Sequence, residues 1–203
     1  NLEDRLHATE GLVEMSADFD AFLVCLTDKL PRAAVERLSP RLKVISTFSV
    51  GHEHVDVGAA KARGIPVGNA PNGVTIATAE IAMLLMLGAT RRAPEGERMI
   101  AQGQWTGWAP MQLLGHRLDG KRLGILGLGK IGQAVAKRAR AFDMQIHYHN
   151  RTPRSPAEEQ GAVYHASLEG LLAVSDILSI NAPSTPQTRH IVNARHLALL
   201  PRG

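Results

Sequence analysis

The chain has 203 residues, of which 44% are hydrophobic and 21% are charged, a balance typical of a soluble globular protein with one large domain or one and a half ordinary ones. The formal net charge of +4 is small, and the basic residues are scattered with few aromatic residues between them, which argues against nucleic-acid binding. The longest apolar run, 81–87, is too short to span a bilayer, and no signal peptide is recognisable. These features predict a cytoplasmic protein without membrane contact.

A single cysteine, Cys25, lies within the apolar run 21–26. Such a position is typical of a buried small hydrophobic residue and less so of a reactive thiol. One cysteine also excludes an intrachain disulfide and fits a reducing compartment.

Strands alternate with helices in the first third of the chain. Three apolar segments are predicted strands: 21–26, 42–48 and 65–67. Pro31 is expected to begin a helix, Asp56 to cap a second one, and Gly64 to end it. Alternating strands and helices indicate a parallel sheet. We therefore predict that residues 1–72 form a partial, flavodoxin-like α/β domain whose beginning is missing.

Residues 75–92 predict one long helix that is apolar nearly all round, which is typical of a helix buried between two units. The following segment, 93–118, contains both tryptophans, Trp105 and Trp108, with prolines, glycines and little core pattern. We interpret it as an arm that meets a second subunit of a homodimer. The alternative is a surface lid.

Residues 121–151 carry the most specific motif of the chain. An apolar strand, 123–126, leads directly into Gly127-Leu128-Gly129-Lys130-Ile131-Gly132, a helical pattern follows, and 144–148 is a second strand. A strand, a glycine turn, a helix and a strand within about 30 residues are the mark of a dinucleotide-binding unit. The alternative is a tight turn without a ligand.

Each glycine of the turn has its own expected role. Gly127 permits the tight turn, the absence of a side chain at Gly129 lets a pyrophosphate approach the backbone, and Gly132 lets the helix lie close to the strands. The amides of the first helical turn and the helix dipole then face the phosphates.

The residues after the second strand select the coenzyme. An NAD site usually has Asp or Glu about 20 residues beyond the glycines. Here that place holds Asn150, followed by Arg151, Thr152 and Arg154. Asparagine tolerates a 2′-phosphate and arginine can bind it, so we predict NADP(H) over NAD(H). The alternative is that Arg151 and Arg154 are solvated loop charges.

The last third of the chain continues the α/β pattern. A helix over 168–174 is expected after Ser167, a buried strand over 176–180, and a helix over 193–200 that begins with Asn193 as its cap. The loop 181–188 follows a strand end, where open α/β sheets bind ligands, and should close over the adenine side or the nicotinamide ribose.

Residues 73–203 are therefore predicted to form a doubly wound, Rossmann-type parallel sheet that is truncated at its C-terminal end. The chain begins with Asn1 and stops at Gly203 directly after a helical segment. We expect both ends to be cuts in a longer protein.

Taken in order, these motifs resemble the D-isomer-specific 2-hydroxyacid dehydrogenases, in particular the glyoxylate and hydroxypyruvate reductase branch. The resemblance spans 42–203 almost without interruption and is carried by SVGHEHVDVGAAKARGIPVGNAP, TIATAEIAMLLMLGATRR, GQWTGW, LDGKRLGILGLGKIGQAVAKRARAF and NAPSTPQTRHIVN. It implies two α/β domains with the cofactor in the cleft between them, the first binding the substrate. It also implies that 93–118 is a dimerisation segment.

The resemblance assigns roles to individual residues. The amides of Val50 and Gly51 would hold the substrate carboxylate, and Pro183 would lie beside the cofactor. The remaining cofactor contacts would be Leu128 to Ile131 on the pyrophosphate and Asn150, Arg151 and Thr152 at the adenosine ribose.

The family's catalytic Arg, Glu and His have no matching positions here, because in the family they lie downstream of Gly203. His52 and His54 flank the expected carboxylate site, but VGHEHVD resembles the family's structural turn. His147 and His149 share one strand face and are expected to be structural, and no cysteine and histidine spacing indicates a metal.

The implied activity is NADPH-dependent reduction of a small 2-keto acid, such as glyoxylate or hydroxypyruvate, to the D-2-hydroxy acid. We expect no turnover by the chain as given. The alternative function is a catalytically silent NAD(P)-binding module or a corepressor-like nucleotide sensor.

Overall fold

The computed structural model describes residues 6–202. The chain divides into two compact units, one comprising the residues up to Val74 together with Ser184–Pro186, the other Thr75–Pro183 and the residues from Gln187 onward. The structure divides the chain after Val74, two residues beyond the predicted boundary after residue 72. No helix within 6–202 combines the length and apolar character needed to cross a bilayer.

The first unit is a three-stranded parallel sheet with short helices. Its elements are α1 Thr9–Met15, β1 Ala21–Val24, α2 Arg32–Val35, β2 Val44–Thr47, α3 Val57–Ala62 and β3 Val67–Gly68. The strands lie in the order β1-β2-β3, so that Ile45 pairs with both Phe22 and Val67. Ile45 is fully buried, with Leu30 and Val35 in the same apolar cluster. The core of this unit therefore centres on β2.

The predicted helix signals of this unit are confirmed at two positions. The Asp56 carboxylate accepts a hydrogen bond from the Ala59 amide at 2.8 Å, as an N-cap should, and Gly64 follows the helix with a φ of +71°. Pro31 is the N-cap of α2 rather than its first helical residue. Helix α1 was not predicted, because residues 1–20 are mostly polar and show little periodicity.

The apolar run 21–26 forms a strand only in its first part, and that strand is not buried throughout. β1 ends at Val24 and lies at the sheet edge; Leu23, on the face opposite to the buried Val24, is 71% exposed, and Leu26 beyond the strand is also exposed. Cys25 follows the strand and is half-buried, with its Sγ 2.7 Å from Thr27 Oγ1.

The second unit contains a four-stranded parallel sheet. Its elements are α4 Thr75–Thr90, α5 Ala93–Ala101, β4 Arg122–Leu126, α6 Lys130–Arg140, β5 Gln145–His149, α7 Pro156–Glu159, β6 Val163–Tyr164, α8 Leu168–Val174, β7 Ile177–Ile180 and α9 Ala194–Leu197. The strand order β6-β5-β4-β7 shows that the chain runs outward from β4 and then returns to its other side. This is the doubly wound, Rossmann-type arrangement that the sequence predicts.

Helices cover both faces of this sheet. Because successive strand residues point to opposite faces, Ile125 packs in one cluster with Val135 of α6 and Met83 of α4, whereas Leu126 packs in another with Leu171 of α8. The sheet is therefore an interior layer, which explains why β4 is apolar along nearly its whole length.

The long helix α4 is not fully buried, contrary to its prediction. Ala79, Met83 and Met86 of α4 are buried, but Leu84 and Leu85 are exposed because α6 packs on one side only. Helix α5 was not predicted, since Pro94 and Gly96 weaken the helical pattern of its first turns. It buries no residue, and the segment after it leaves Trp105 and Trp108 54% and 81% exposed.

The later elements follow the sequence more closely. Helix α8 has the predicted bounds, with the Ser167 hydroxyl accepting from the Gly170 amide at 3.1 Å. Asn193 caps α9, which is shorter than predicted. β7 is half-buried rather than buried, because it lies at the sheet edge.

Candidate functional site

The glycine turn joins β4 to α6, and two of its glycines are required by the protein itself. Gly127 has a φ of +98°, and a Cβ placed on it would lie 2.9 Å from the backbone carbonyl of Asn181. A Cβ on Gly132 would collide with the carbonyl oxygen of Gly127 and lie 3.1 Å from Ile125 Cγ2. The turn is therefore packed tightly against the loop that follows β7 and against β4.

Gly129 differs from its two neighbours. It is the N-cap of α6, with φ −84° and ψ −160°, a conformation open to any residue, and a Cβ placed on it would meet nothing within 4 Å. Neither backbone strain nor packing within the described residues explains this glycine. Open space beside the first amides of an 11-residue helix fits the pyrophosphate of a dinucleotide.

The residues after β5 contact the turn directly. Asn150 Oδ1 accepts a hydrogen bond from the Leu128 amide at 2.7 Å, and Arg154 Nε donates to the Leu128 carbonyl at 2.9 Å. The Leu128 side chain is buried. Asn150 was predicted to lie at the cofactor. The contact of Arg154 was missed, and no spacing rule in the sequence indicates it.

Arg151 and Thr152 have exposed side chains at the same edge of the unit. Arg151 makes no hydrogen bond or ion pair with another residue of 6–202. Its guanidinium is thus available to an anion that lies beside Asn150.

A buried tyrosine fixes the loop between β5 and α7. Tyr148 Oη donates to Glu159 Oε1 at 2.5 Å and accepts from the Arg154 amide at 2.8 Å. Burial, and secondly the hydrogen bond with Glu159, raise the pKa of Tyr148, so it remains a neutral donor. Tyr164 Oη donates to the Asn150 carbonyl at 3.3 Å. Sequence reasoning missed both tyrosines.

The loop after β7 begins against the glycine turn. The Asn181 amide donates to the Leu126 carbonyl at 2.8 Å, and Pro183, two residues further on, is exposed. The Pro183 carbonyl accepts from Thr188 Oγ1 at 2.5 Å, which closes the loop on itself.

Val50 and Gly51 lie in the first unit, in the loop after β2. Their carbonyls are occupied, since Asn69 Nδ2 donates to Val50 at 2.8 Å and Ser49 Oγ to Gly51 at 2.6 Å. Their two amides donate to no acceptor within 6–202, as the predicted carboxylate-binding role requires. A Cβ on Gly51 would collide with the Glu53 carboxylate, so this exposed side chain lies beside the loop.

The histidines beside this loop differ in environment. His52 is exposed, whereas His54 is 4% exposed and its ring nitrogens contact no hydrogen-bonding partner within 6–202. Burial lowers the pKa of His54, which keeps it neutral.

His147 and His149 are hydrogen-bonded, as expected of structural residues. His147 Nδ1 lies 2.9 Å from His165 Nε2, and His149 Nδ1 lies 2.8 Å from the His165 carbonyl. His165, the partner of both, was not singled out from the sequence.

A glycine turn of this geometry, set at the centre of a parallel sheet that helices cover on both faces, defines a Rossmann-type dinucleotide-binding domain. The family model described as D-isomer specific 2-hydroxyacid dehydrogenase, NAD binding domain, matches residues 83–203. The chain belongs to this family, as its sequence predicts.

Individual relatives agree with this assignment. A glycerate dehydrogenase from Hyphomicrobium methylovorum is 50% identical over 196 residues, which are 96% of this chain and 61% of that protein. A glyoxylate reductase from Thermococcus litoralis is 39% identical and covers 93% of this chain and 58% of its own length. The crystal structure of a glyoxylate reductase from Paecilomyes thermophila has a TM-score of 0.84 at 38% identity, covering 95% of this chain and 60% of that one. The chain thus spans about three fifths of the length of these relatives.

Proposed function

We propose that the protein to which this chain belongs reduces a small 2-keto acid, of the glyoxylate or hydroxypyruvate type, to the D-2-hydroxy acid with NADPH. The observation that carries the proposal is the open space at Gly129, a glycine that the fold does not need, in a chain of this dehydrogenase family. Relatives named glyoxylate reductase and glycerate dehydrogenase support the substrate class.

The two proposed binding roles, for substrate and for coenzyme, fall on different units. The unpaired amides of Val50 and Gly51 would bind the substrate carboxylate, which assigns residues 1–72 to substrate binding. In the second unit, residues 127–132 would hold the pyrophosphate, and Pro183 would lie beside the coenzyme. When bound, the nicotinamide supplies the hydride.

The preference for NADPH rests on charge. Position 150, where an NAD site usually has Asp or Glu, holds Asn, and it is followed by Arg151, whose guanidinium pairs with no residue of 6–202. A charge-assisted hydrogen bond contributes about 1.5–3 kcal/mol, or about ten- to a hundredfold in affinity.

Titration of the chain with NADPH and NADH at matched ionic strength tests the coenzyme proposal. NADPH is expected to bind at least tenfold more tightly, and Arg151→Met should remove that difference while leaving NADH affinity unchanged. Equal affinities of the unmodified chain for the two coenzymes would contradict the preference, and no binding of either would contradict the function.

One observation favours a second function for the chain by itself. The family's catalytic Arg, Glu and His have no matching positions in the residues given, whereas the glycine turn proposed to hold a coenzyme is present. A silent NAD(P)-binding module or nucleotide sensor has these properties. The full-length protein separates the two functions, because only the dehydrogenase oxidises NADPH when glyoxylate or hydroxypyruvate is added.

We further propose a cytoplasmic homodimer formed through the arm 93–118. The large exposed apolar side chains of the arm, and those on the outer side of α4, support an interface there: Ile100, Trp105, Trp108, Met111, Leu114, Ile81, Leu84 and Leu85. Sedimentation equilibrium should give twice the chain mass, and Trp108→Ser should raise the dissociation constant at least tenfold. A monomer at all concentrations would contradict the dimer.

A further inference from the structure

Both polar backbone groups of Leu128 are engaged by residues that follow β5. Its amide donates to Asn150 Oδ1 at 2.7 Å, and its carbonyl accepts from Arg154 Nε at 2.9 Å. Gln133 Nε2 also approaches that carbonyl, at a longer 3.4 Å. Arg154 is therefore the principal donor to the Leu128 carbonyl.

The orientation of this carbonyl determines where the next amide points. A peptide unit is planar and trans, so the Leu128 carbonyl and the Gly129 N–H point in opposite directions. The Gly129 N–H donates to no acceptor within 6–202, and the space beside Gly129 is open. Holding the Leu128 carbonyl toward Arg154 therefore directs a free amide away from Arg154, at the N-terminus of α6.

Arg154 is itself held in place by contacts outside the turn. Its amide donates to the buried Tyr148 Oη at 2.8 Å, and its guanidinium lies 3.5 Å from Glu158 Oε1. Glu158 accepts from both the amide and the hydroxyl of Ser155 in the capping box of α7. Arg151, three residues earlier, has none of these contacts.

We propose that Arg154 is a positioning residue for coenzyme binding: it orients the Leu128–Gly129 peptide so that the Gly129 amide can donate to the pyrophosphate, and it is not a ligand of the 2′-phosphate. The proposal rests on the proposed coenzyme site. It predicts a specific pattern, because NADH and NADPH share the pyrophosphate and differ at the ribose. Loss of the Arg154 side chain lowers the affinity for both coenzymes equally, whereas loss of the Arg151 side chain lowers the affinity for NADPH alone.

The test compares matched variants of the chain by calorimetric titration with NADPH and with NADH. Arg154→Met is expected to lower the affinity for each coenzyme by about tenfold and to leave the ratio of the two affinities unchanged. Arg151→Met, an equal loss of one guanidinium nearby, is the control and should change NADPH affinity only. An Arg154→Met variant that binds both coenzymes normally, or that loses NADPH affinity alone, would overturn the proposal.

A second measurement separates positioning from general stability. In the coenzyme-free protein, Arg154→Met should shift the amide NMR signal of Gly129 while the melting temperature stays within a few degrees. A lower melting temperature with an unmoved Gly129 signal would overturn the proposal. If the methionine variant does not fold, Arg154→Lys is titrated instead. Its loss of affinity is expected to be smaller and again equal for both coenzymes. A loss of NADPH affinity alone would overturn the proposal. Failure of the unmodified chain to bind either coenzyme would instead contradict the proposed function.

Discussion

Asn150 Oδ1 accepts the amide hydrogen of Leu128 at 2.7 Å, so the residue proposed to select the ribose also braces the glycine turn. The two roles use different atoms. The side-chain oxygen of Asn150 faces the turn. The charge of the rest of the side-chain amide would determine which ribose the site accepts. A substitution that keeps the oxygen and changes the charge should therefore alter coenzyme choice without disturbing the turn.

Asn150→Asp is that substitution. The carboxylate still accepts a hydrogen bond from the Leu128 amide, but its charge repels a 2′-phosphate. Its second oxygen can instead accept a hydrogen bond from the 2′-hydroxyl of NADH. We expect NADPH affinity to fall at least tenfold and NADH affinity to be unchanged or higher, measured by titration at low ionic strength. Asn150→Ala, which removes the hydrogen bond to the Leu128 amide, should lower the affinity for both coenzymes. Unchanged NADPH affinity in Asn150→Asp would contradict the proposed 2′-phosphate site.

The glycines of the turn should separate binding from folding. Gly129→Ala places its Cβ in open space, so the free energy of unfolding should change by less than about 1 kcal/mol while affinity for both coenzymes falls more than tenfold. Gly132→Ala collides with the Gly127 carbonyl and should cost about 1–3 kcal/mol of stability. Urea unfolding followed by circular dichroism, alongside the titrations, measures both. Tight coenzyme binding by Gly129→Ala would contradict the role given to this space.

The sequence predicts the second unit well where periodicity and caps agree. Helix α8 lies between its predicted bounds because Ser167 caps it and its apolar residues follow one face. The partial exposure of α4 could not be predicted from its composition. A helix that is apolar all round has no polar side to show which of its faces is covered by another helix. The exposure of Leu23 has a similar origin, because apolar content does not show that only the opposite face of β1, with Val24, is covered.

At the site, local motifs were predictable and long-range hydrogen bonds were not. The glycine spacing indicates the turn, although the three glycines differ: Gly127 has a φ of +98°, Gly132 lies against the Gly127 carbonyl, and Gly129 faces open space. The contact of Arg154 with Leu128 joins positions 26 residues apart and depends on how Tyr148 folds the intervening loop. A sequence of exposed charges gives no sign of such a contact.

The ion pair between Arg122 and Asp176 should make the second unit sensitive to acid. The side-chain hydrogen bond from Arg122 lowers the pKa of Asp176 to about 2, and its carboxylate also accepts the Arg122 amide at 2.8 Å. A depressed carboxylate pKa stabilises the fold above the unfolded value near 3.8 and loses that contribution as the pH falls toward 2. Asp176→Asn should therefore cost about 1–2 kcal/mol at pH 7, and most of that difference should be lost by about pH 2. A constant difference in urea midpoint across this range would contradict the assignment.

The contact between His147 and His165 should make stability fall below neutral pH. Burial, then the neighbouring ring of His165 and the charge of Arg122, lower the pKa of His147, although Asp176 opposes them. Burial, then His149, lower the pKa of His165. The pair is therefore neutral in the folded protein at pH 7, with one ring nitrogen donating to the other across 2.9 Å.

Because the folded-state pKa values lie below the unfolded value of about 6.5, the unfolded chain binds more protons in acid. The contribution of the pair is complete above about pH 6.5 and is lost as the pH falls through the lowered values, with a slope approaching about 1.4 kcal/mol per pH unit for each proton. Replacing both residues by glutamine, which bonds without titrating, should flatten the pH dependence of the urea midpoint between pH 7.5 and 5. The buried His54, whose pKa is also lowered by burial, should leave a residual slope in that variant. The exposed His116→Gln is the control, and a double variant with the unmodified slope would show that the pair does not carry the effect.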